Sequence, residues 1–154
     1  MKSGILLTGI LFISLVASAQ PSRLADTSDR SERAAITHLL QDFYIRGLYV
    51  DRDDAVLRAD VHPECIFVMV DGARTHRYEC ADMLRRVQEC RKVNPIPRTE
   101  SVAADLRMLD IDGGSAFARV NLAIGGIPVT NELVSLLRTA DGWKIVSRVA
   151  RRQS

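Results

Sequence analysis

The last third of the chain contains four runs, SVAADLRMLDI, SAFARVNLAI, IPVTNELVSLLR and WKIVSRVARR, separated by Asp112-Gly113-Gly114, Gly125-Gly126 and Ala140-Asp141-Gly142. The runs alternate in hydropathy with the period of two that a strand needs to bury one face, and the separators are short hairpin signals. A chain built this way is committed to an antiparallel meander. An antiparallel sheet also needs a cover for its apolar face, and the residues before it supply helices.

In DRSERAAITHLLQDFYIRGLYVD, Asp29 and Glu32 have capping-box-like spacing, while Ile36, Leu39, Leu40, Phe43, Gly47 and Leu48 recur at helical spacing. This predicts a helix over 31–50. DRDDAVLRADVHP predicts a short second helix, opened by acidic residues and stopped near His62 because the residue before Pro63 avoids the α region. CIFVMV, apolar throughout and followed by Asp71-Gly72, predicts a strand covered on both faces. ARTHRYE reads as a loop, with Asp71 explained by turn chemistry and His76 as a solvated side chain. YECADMLRRVQECRKV places Cys80, Met83, Leu84 and Val87 on one stripe and predicts a third helix, ended by NPIP.

The first residues carry Lys2, an apolar run from Ile5 to Val16 and Ala17-Ser18-Ala19, the pattern of a secretory signal cleaved after Ala19. Residues 1–19 are therefore read as a signal peptide, 20–30 as a flexible leader and 31–152 as one domain. Loss of Lys2 takes the formal charge from +2 to +1, which provides no basic footprint for nucleic acid. Arg148, Arg151 and Arg152 on the last strand read as a solvated face or edge protection. No run reaches the ~18 apolar residues of a membrane span. The expected localisation is secreted or periplasmic, where disulfides are permitted. Of three cysteines at least one stays unpaired, and Cys80 and Cys90 lie about 15 Å apart along one helix, too far to bridge. His38, His62 and His76 lack metal-ligand spacing, so neither a metal nor another cofactor is expected.

The order of helix, short helix, His62-Pro63-Glu64, strand, helix and meander, with LDIDGGSAFARVNL and the closing Asp141–Val146 segment DGWKIV, resembles the nuclear transport factor 2-like superfamily. The resemblance is closest to its small secreted members described as "putative lumazine-binding", which are polyketide-cyclase-like. It implies an α+β fold: a cone of three N-terminal helices packed on a curved, mostly antiparallel sheet that ends in the four-strand meander. It further implies a pocket at the open end and a dimer formed through the sheet. Enzymes of this superfamily, such as ketosteroid isomerase and scytalone dehydratase, place acid-base groups inside that pocket.

Ala116, Ala118, Val120, Leu122 and Ile124 form an apolar row that should face the helices. If Gly125-Gly126 is a two-residue turn, paired residue numbers sum to 251 and the inner row continues as Ile127, Val129, Asn131, Leu133 and Ser135. The outer face then holds Phe117, Arg119 and Asn121 opposite Val134, Glu132 and Thr130, with Leu136 extending the row. That partly apolar face predicts a homodimer packed sheet to sheet, with an Arg119–Glu132 pair across the strands.

Candidate ligand-binding residues are Tyr44, Asn131 and Ser135; the catalytic candidates are His62, whose ordinary pKa suits proton transfer, and Tyr44. His62 is better explained as a cap or packing residue at the Pro63 junction. Since no carboxylate–histidine pair falls on the inner face, the expected function is a non-catalytic domain with an apolar pocket for a small hydrophobic or aromatic ligand. The alternative is an isomerase, dehydratase or cyclase.

Overall fold

The computed structural model describes residues 23–93 and 100–153. The predicted signal peptide and the first residues of the predicted leader lie outside them. Helix α1 spans Arg23–Asp42, so it begins well before residue 31 and takes in most of the predicted leader. No proline or glycine occurs between Pro21 and Asp42, and Asp29 supports the early turns by pairing with Arg33 one turn on, at 3.2 Å. The helix then widens into a π-helical segment, Phe43–Tyr49, where the Val50 N–H donates to the Ile45 carbonyl five residues back. Phe43, Tyr44 and Gly47 of this segment are buried.

Helix α2, Asp54–Asp60, is capped by the Asp53 side chain, which accepts from the Ala55 N–H at 2.9 Å. It packs directly on the backbone of Gly47: a Cβ there would stand 2.5 Å from Cδ2 of the fully buried Leu57. Strand β1, Val61–Asp71, and strand β2, Arg74–Glu79, form a hairpin, and helix α3, Cys80–Val93, follows. The meander is β3, Val102–Asp112; β4, Ser115–Ile124; β5, Ile127–Thr139; and β6, Gly142–Arg152.

The six strands lie in the order β2-β1-β6-β5-β4-β3, with β1 parallel to β6 and every other pair antiparallel. Only two of the predicted helices precede the sheet in the chain, since α3 follows the β1–β2 hairpin. Strand β2 takes the place of the predicted loop around His76. Its residues are almost all exposed, as suits a polar edge strand, so it carries no apolar period that would identify it. Ile36, Leu40, Phe43, Tyr44 and Leu57 pack with Met83, Leu84 and Val87 of α3 and the inner sheet face to make the core.

The register of β4 and β5 departs from the expected one at a single residue. Gly125 and Gly126 both have positive φ, 59° and 79°, as a two-residue hairpin turn of this kind requires. Ile124 pairs with Ile127 and Ala123 with Pro128, but Leu122 pairs with Thr130. Pro128 has no N–H to give to a ladder, and a bulge at Val129 absorbs the fault. A one-residue slip exchanges the two faces of a strand.

Thr130, Glu132, Val134 and Leu136 therefore turn inward and are buried beside Ala116, Ala118, Val120 and Leu122. Glu132, Val134 and Leu136 thus do not belong to an outer interface, and Asn131 and Ser135 do not bring polarity inside. Outside, Phe117 faces Ser135, Arg119 faces Leu133 and Asn121 faces Asn131. Arg148 is also buried, contrary to its reading as a solvated residue, whereas Arg151 and Arg152 are exposed.

Candidate functional site

The inward turn of Glu132 creates a charged network in the core. In β5, Glu132 pairs with Ala150 of β6, while Val134 pairs with Arg148, so Glu132 and Arg148 are diagonal neighbours on the inner face. Arg148 Nη2 donates to Glu132 Oε1 at 2.5 Å, and Arg148 Nε donates to Oε2. The Thr130 hydroxyl donates to Oε1 at 2.5 Å. From the π-helical segment, the Tyr44 hydroxyl donates to Oε2, also at 2.5 Å. The guanidinium lies 5.7 Å from the Tyr44 ring centre and 6.0 Å from that of Phe67, which sits across from it on β1.

An ionised carboxylate has about four lone-pair sites, and Glu132 receives four donors. Burial, and then the adjacent Glu132 carboxylate, push the Tyr44 phenol well above its ordinary pKa despite the opposing effect of Arg148, so Tyr44 stays a protonated donor. Burial alone disfavours the charge on Arg148, but attraction and hydrogen bonding to Glu132 outweigh it and hold the guanidinium above its ordinary value. The network is thus a bidentate ion pair with its remaining acceptor sites filled. Tyr44 and Glu132 are 0% and 1% exposed, which leaves neither open to solvent.

Beside this network, between the π-helical segment and α3, lies a cavity of about 560 Å³. Leu48, Met83, Val87 and Val93 give it apolar walls, with Arg52, Arg86 and Glu89 adding charge. Tyr49 connects the two features: it lines the cavity and lies within electrostatic reach of Arg148. Arg52 holds a left-handed backbone, φ 51°, rare for a residue with a side chain, and its Nη1 donates to the Cys90 carbonyl at 3.5 Å. The Arg86 guanidinium covers the Tyr78 ring at 4.6 Å.

Of the sequence candidates, Tyr44 is turned to the core and bonded to Glu132. His62 lies within an irregularity of β1, between the pairings of Val61 with Ile145 and Ile66 with Ser147, and its Nδ1 accepts from the Glu64 N–H at 3.2 Å. Asn131 is exposed on the outer face, and Ser135 shares a 3.0 Å hydroxyl bond with Ser147 there. Sequence reasoning puts Thr130 and Glu132 on the outer face and Arg148 in solvent, and so misses the network that the three form with Tyr44. The available signal was Pro128, which a regular ladder next to a hairpin cannot accommodate. Among the described residues there is no cluster of His, Cys, Asp or Glu that could hold a metal, and no helix long and apolar enough to cross a membrane.

Asp60 is the last residue of α2. Its Oδ2 is buried without a hydrogen-bond partner, and burial, then nearby Asp42, push its pKa from 3.8 up to about 6 against the opposing effects of Lys144, His38 and Arg46. Because the folded-state value is the higher one, the penalty is absent below about pH 4, and stability is lost as the pH rises through about 6. Asp60→Asn should leave the melting temperature unchanged near pH 4 and raise it near pH 8. The gain is expected to be on the order of 1 kcal/mol for a partly buried group screened by solvent. Paired thermal melts of wild type and variant read this difference, and a gain of equal size at both pH values would contradict the assignment.

The family described as "Putative lumazine-binding" matches residues 31–150. Among solved structures, an NTF2-like protein of unknown function from Silicibacter pomeroyi superposes with a TM-score of 0.67 at 16% identity, covering 82% of this chain and 98% of that one. One from Shewanella baltica gives 0.66 at 20% identity, with 81% and 96% covered. Another, from Methylobacillus flagellatus, gives 0.60 at 18% identity, with 82% and 94% covered. No curated protein matches the chain. With helices packed on a bulged six-strand sheet and a family match over nearly all of the described residues, the chain belongs to the "Putative lumazine-binding" family and has the nuclear transport factor 2-like fold.

Proposed function

We propose that this protein is an exported, non-catalytic domain that binds a small hydrophobic or aromatic ligand in the cavity between the π-helical segment and α3. The observation that carries this reading is the saturation of Glu132, the one carboxylate in the buried network. With four donors on its two oxygens it has no free acceptor for a substrate proton, whereas a general base must reach that proton. Apolar walls with a few charged groups at the edge suit retention of a molecule with an apolar body. Export rests on the signal pattern ending at Ala19, and an intact mass beginning at Gln20 is the expected result.

The binding test is native mass spectrometry of the mature protein purified from its own compartment, beside a Leu48→Trp variant that fills the cavity. Wild type should carry a small-molecule adduct that the variant lacks at an unchanged melting temperature. An adduct retained equally by both would place the ligand elsewhere.

A second reading, an isomerase, dehydratase or cyclase, draws on the 2.5 Å contact between Tyr44 and Glu132, which joins an acid and a base on the inner side of the sheet. It requires the network to open toward the cavity through Tyr49.

We also propose a homodimer through the outer sheet face. Phe117, Leu133, Val149 and Met108 are 41%, 37%, 38% and 41% exposed, with Leu133 directly between Arg119 and Val149. An apolar centre of this kind, bordered by Arg119, Asn121 and Asn131, suits a two-fold interface. Leu133→Lys should convert dimer to monomer in sedimentation velocity. A wild type that is monomeric at tens of micromolar contradicts the proposal.

A further inference from the structure

The β1–β2 ladder runs from Asp71 with Arg74 to Ile66 with Glu79. One step further toward the open end of the hairpin, the same register sets Cys65 across from Cys80, the first residue of α3. Opposed antiparallel residues hold their Cα atoms about 4.5–5.5 Å apart, within the roughly 4.4–6.8 Å that a disulfide spans. Both side chains enter the same core cluster, at 1% and 4% exposure, and both are free thiols. Burial, and then the neighbouring Cys80 thiol, push the Cys65 thiol above its ordinary pKa. Cys90 is exposed on a later turn of α3 and takes no part.

We propose that Cys65 and Cys80 are a disulfide site, whose bridge closes the β1–β2 hairpin at its open end and ties the start of α3 to the sheet. The oxidant is a small-molecule or protein disulfide. Cys80 is the thiol reached first, since it borders a groove shared by Arg58 of α2 and Gln88 of α3, beside Pro63. Its thiolate attacks one sulfur of the oxidant, forming a mixed disulfide and expelling one thiolate. Cys65 then loses its proton and attacks the Cys80 Sγ, forming the bridge and expelling the second thiolate. The two cysteines give up two protons and two electrons, and the oxidant becomes two thiols. The raised pKa of Cys65 lowers its thiolate fraction and slows the second exchange. The bridge restricts the unfolded chain, so the oxidised form melts higher than the reduced form.

The test uses the full mature chain, reduced, equilibrated with oxidised glutathione, alkylated under denaturing conditions and digested with trypsin. The expected product is Ala59–Arg74 joined to Tyr78–Arg85, with a mass lower by two hydrogens than the sum of the reduced peptides. Cys90 is then the one cysteine left for alkylation or a glutathione adduct. A Cys90→Ser variant should give the same cross-linked peptide. Recovery of Cys65 and Cys80 as alkylated or separately glutathionylated peptides overturns the proposal, as does a bridge that includes Cys90. The result does not depend on whether a ligand is found in the cavity.

Discussion

Replacing Glu132 with methionine is expected to cost about 3–5 kcal/mol, because the Arg148 guanidinium is then left in the core without its carboxylate. Arg148→Met should cost a similar amount by stranding Glu132. The ion pair itself is a weak source of net stability, since removing both charges also removes their desolvation penalties. A variant with Glu132→Met and Arg148→Met, together with Tyr44→Phe and Thr130→Val so that no hydroxyl loses its acceptor, should recover most of the loss. Urea denaturation of the single and combined variants reads this directly. Additive losses across the four positions would mean that the residues do not act as one network.

The second large effect is expected at Gly47. Gly47→Val places a branched side chain where Cβ alone would stand 2.5 Å from Leu57 Cδ2, and Leu57 is fully buried and has little room to retreat. Overpacking of this kind costs about 2–3 kcal/mol, more than the gain in helix propensity on leaving glycine. The displaced α2 should also carry Arg52 away from Cys90 and reshape the cavity. Stability equal to wild type in urea would show that Leu57 has another rotamer available.

The helices and strands with strong apolar periods were legible in the sequence: the stripe of Cys80, Met83, Leu84 and Val87 is the buried face of α3, and the meander strands lie where period two placed them. Strand β2 was not, because Arg74, Thr75, His76 and Arg77 stand in solvent and an edge strand needs no apolar face. The buried network was lost through one residue. Counting pairs from Gly125-Gly126 gave the correct partners only as far as Pro128, and every inward and outward assignment on β5 beyond the bulge was exchanged. Thus Asn131 and Ser135 were read as pocket residues, and Glu132 as half of a surface pair with Arg119. The π-helical widening that places Tyr44 against Glu132 has no periodic signature over a single short segment.

Whether the buried network is scaffold or machinery is settled most directly by native mass spectrometry of two proteins purified from the same compartment. One is the wild type; the other is the combined variant at Glu132, Arg148, Tyr44 and Thr130, which retains the walls formed by Leu48, Met83 and Val87. A binding domain predicts one adduct mass common to both, released intact on denaturation. A wild type that carries or releases a chemically altered molecule, beside a variant that accumulates its unaltered precursor, would place Tyr44 and Glu132 in turnover and contradict the account.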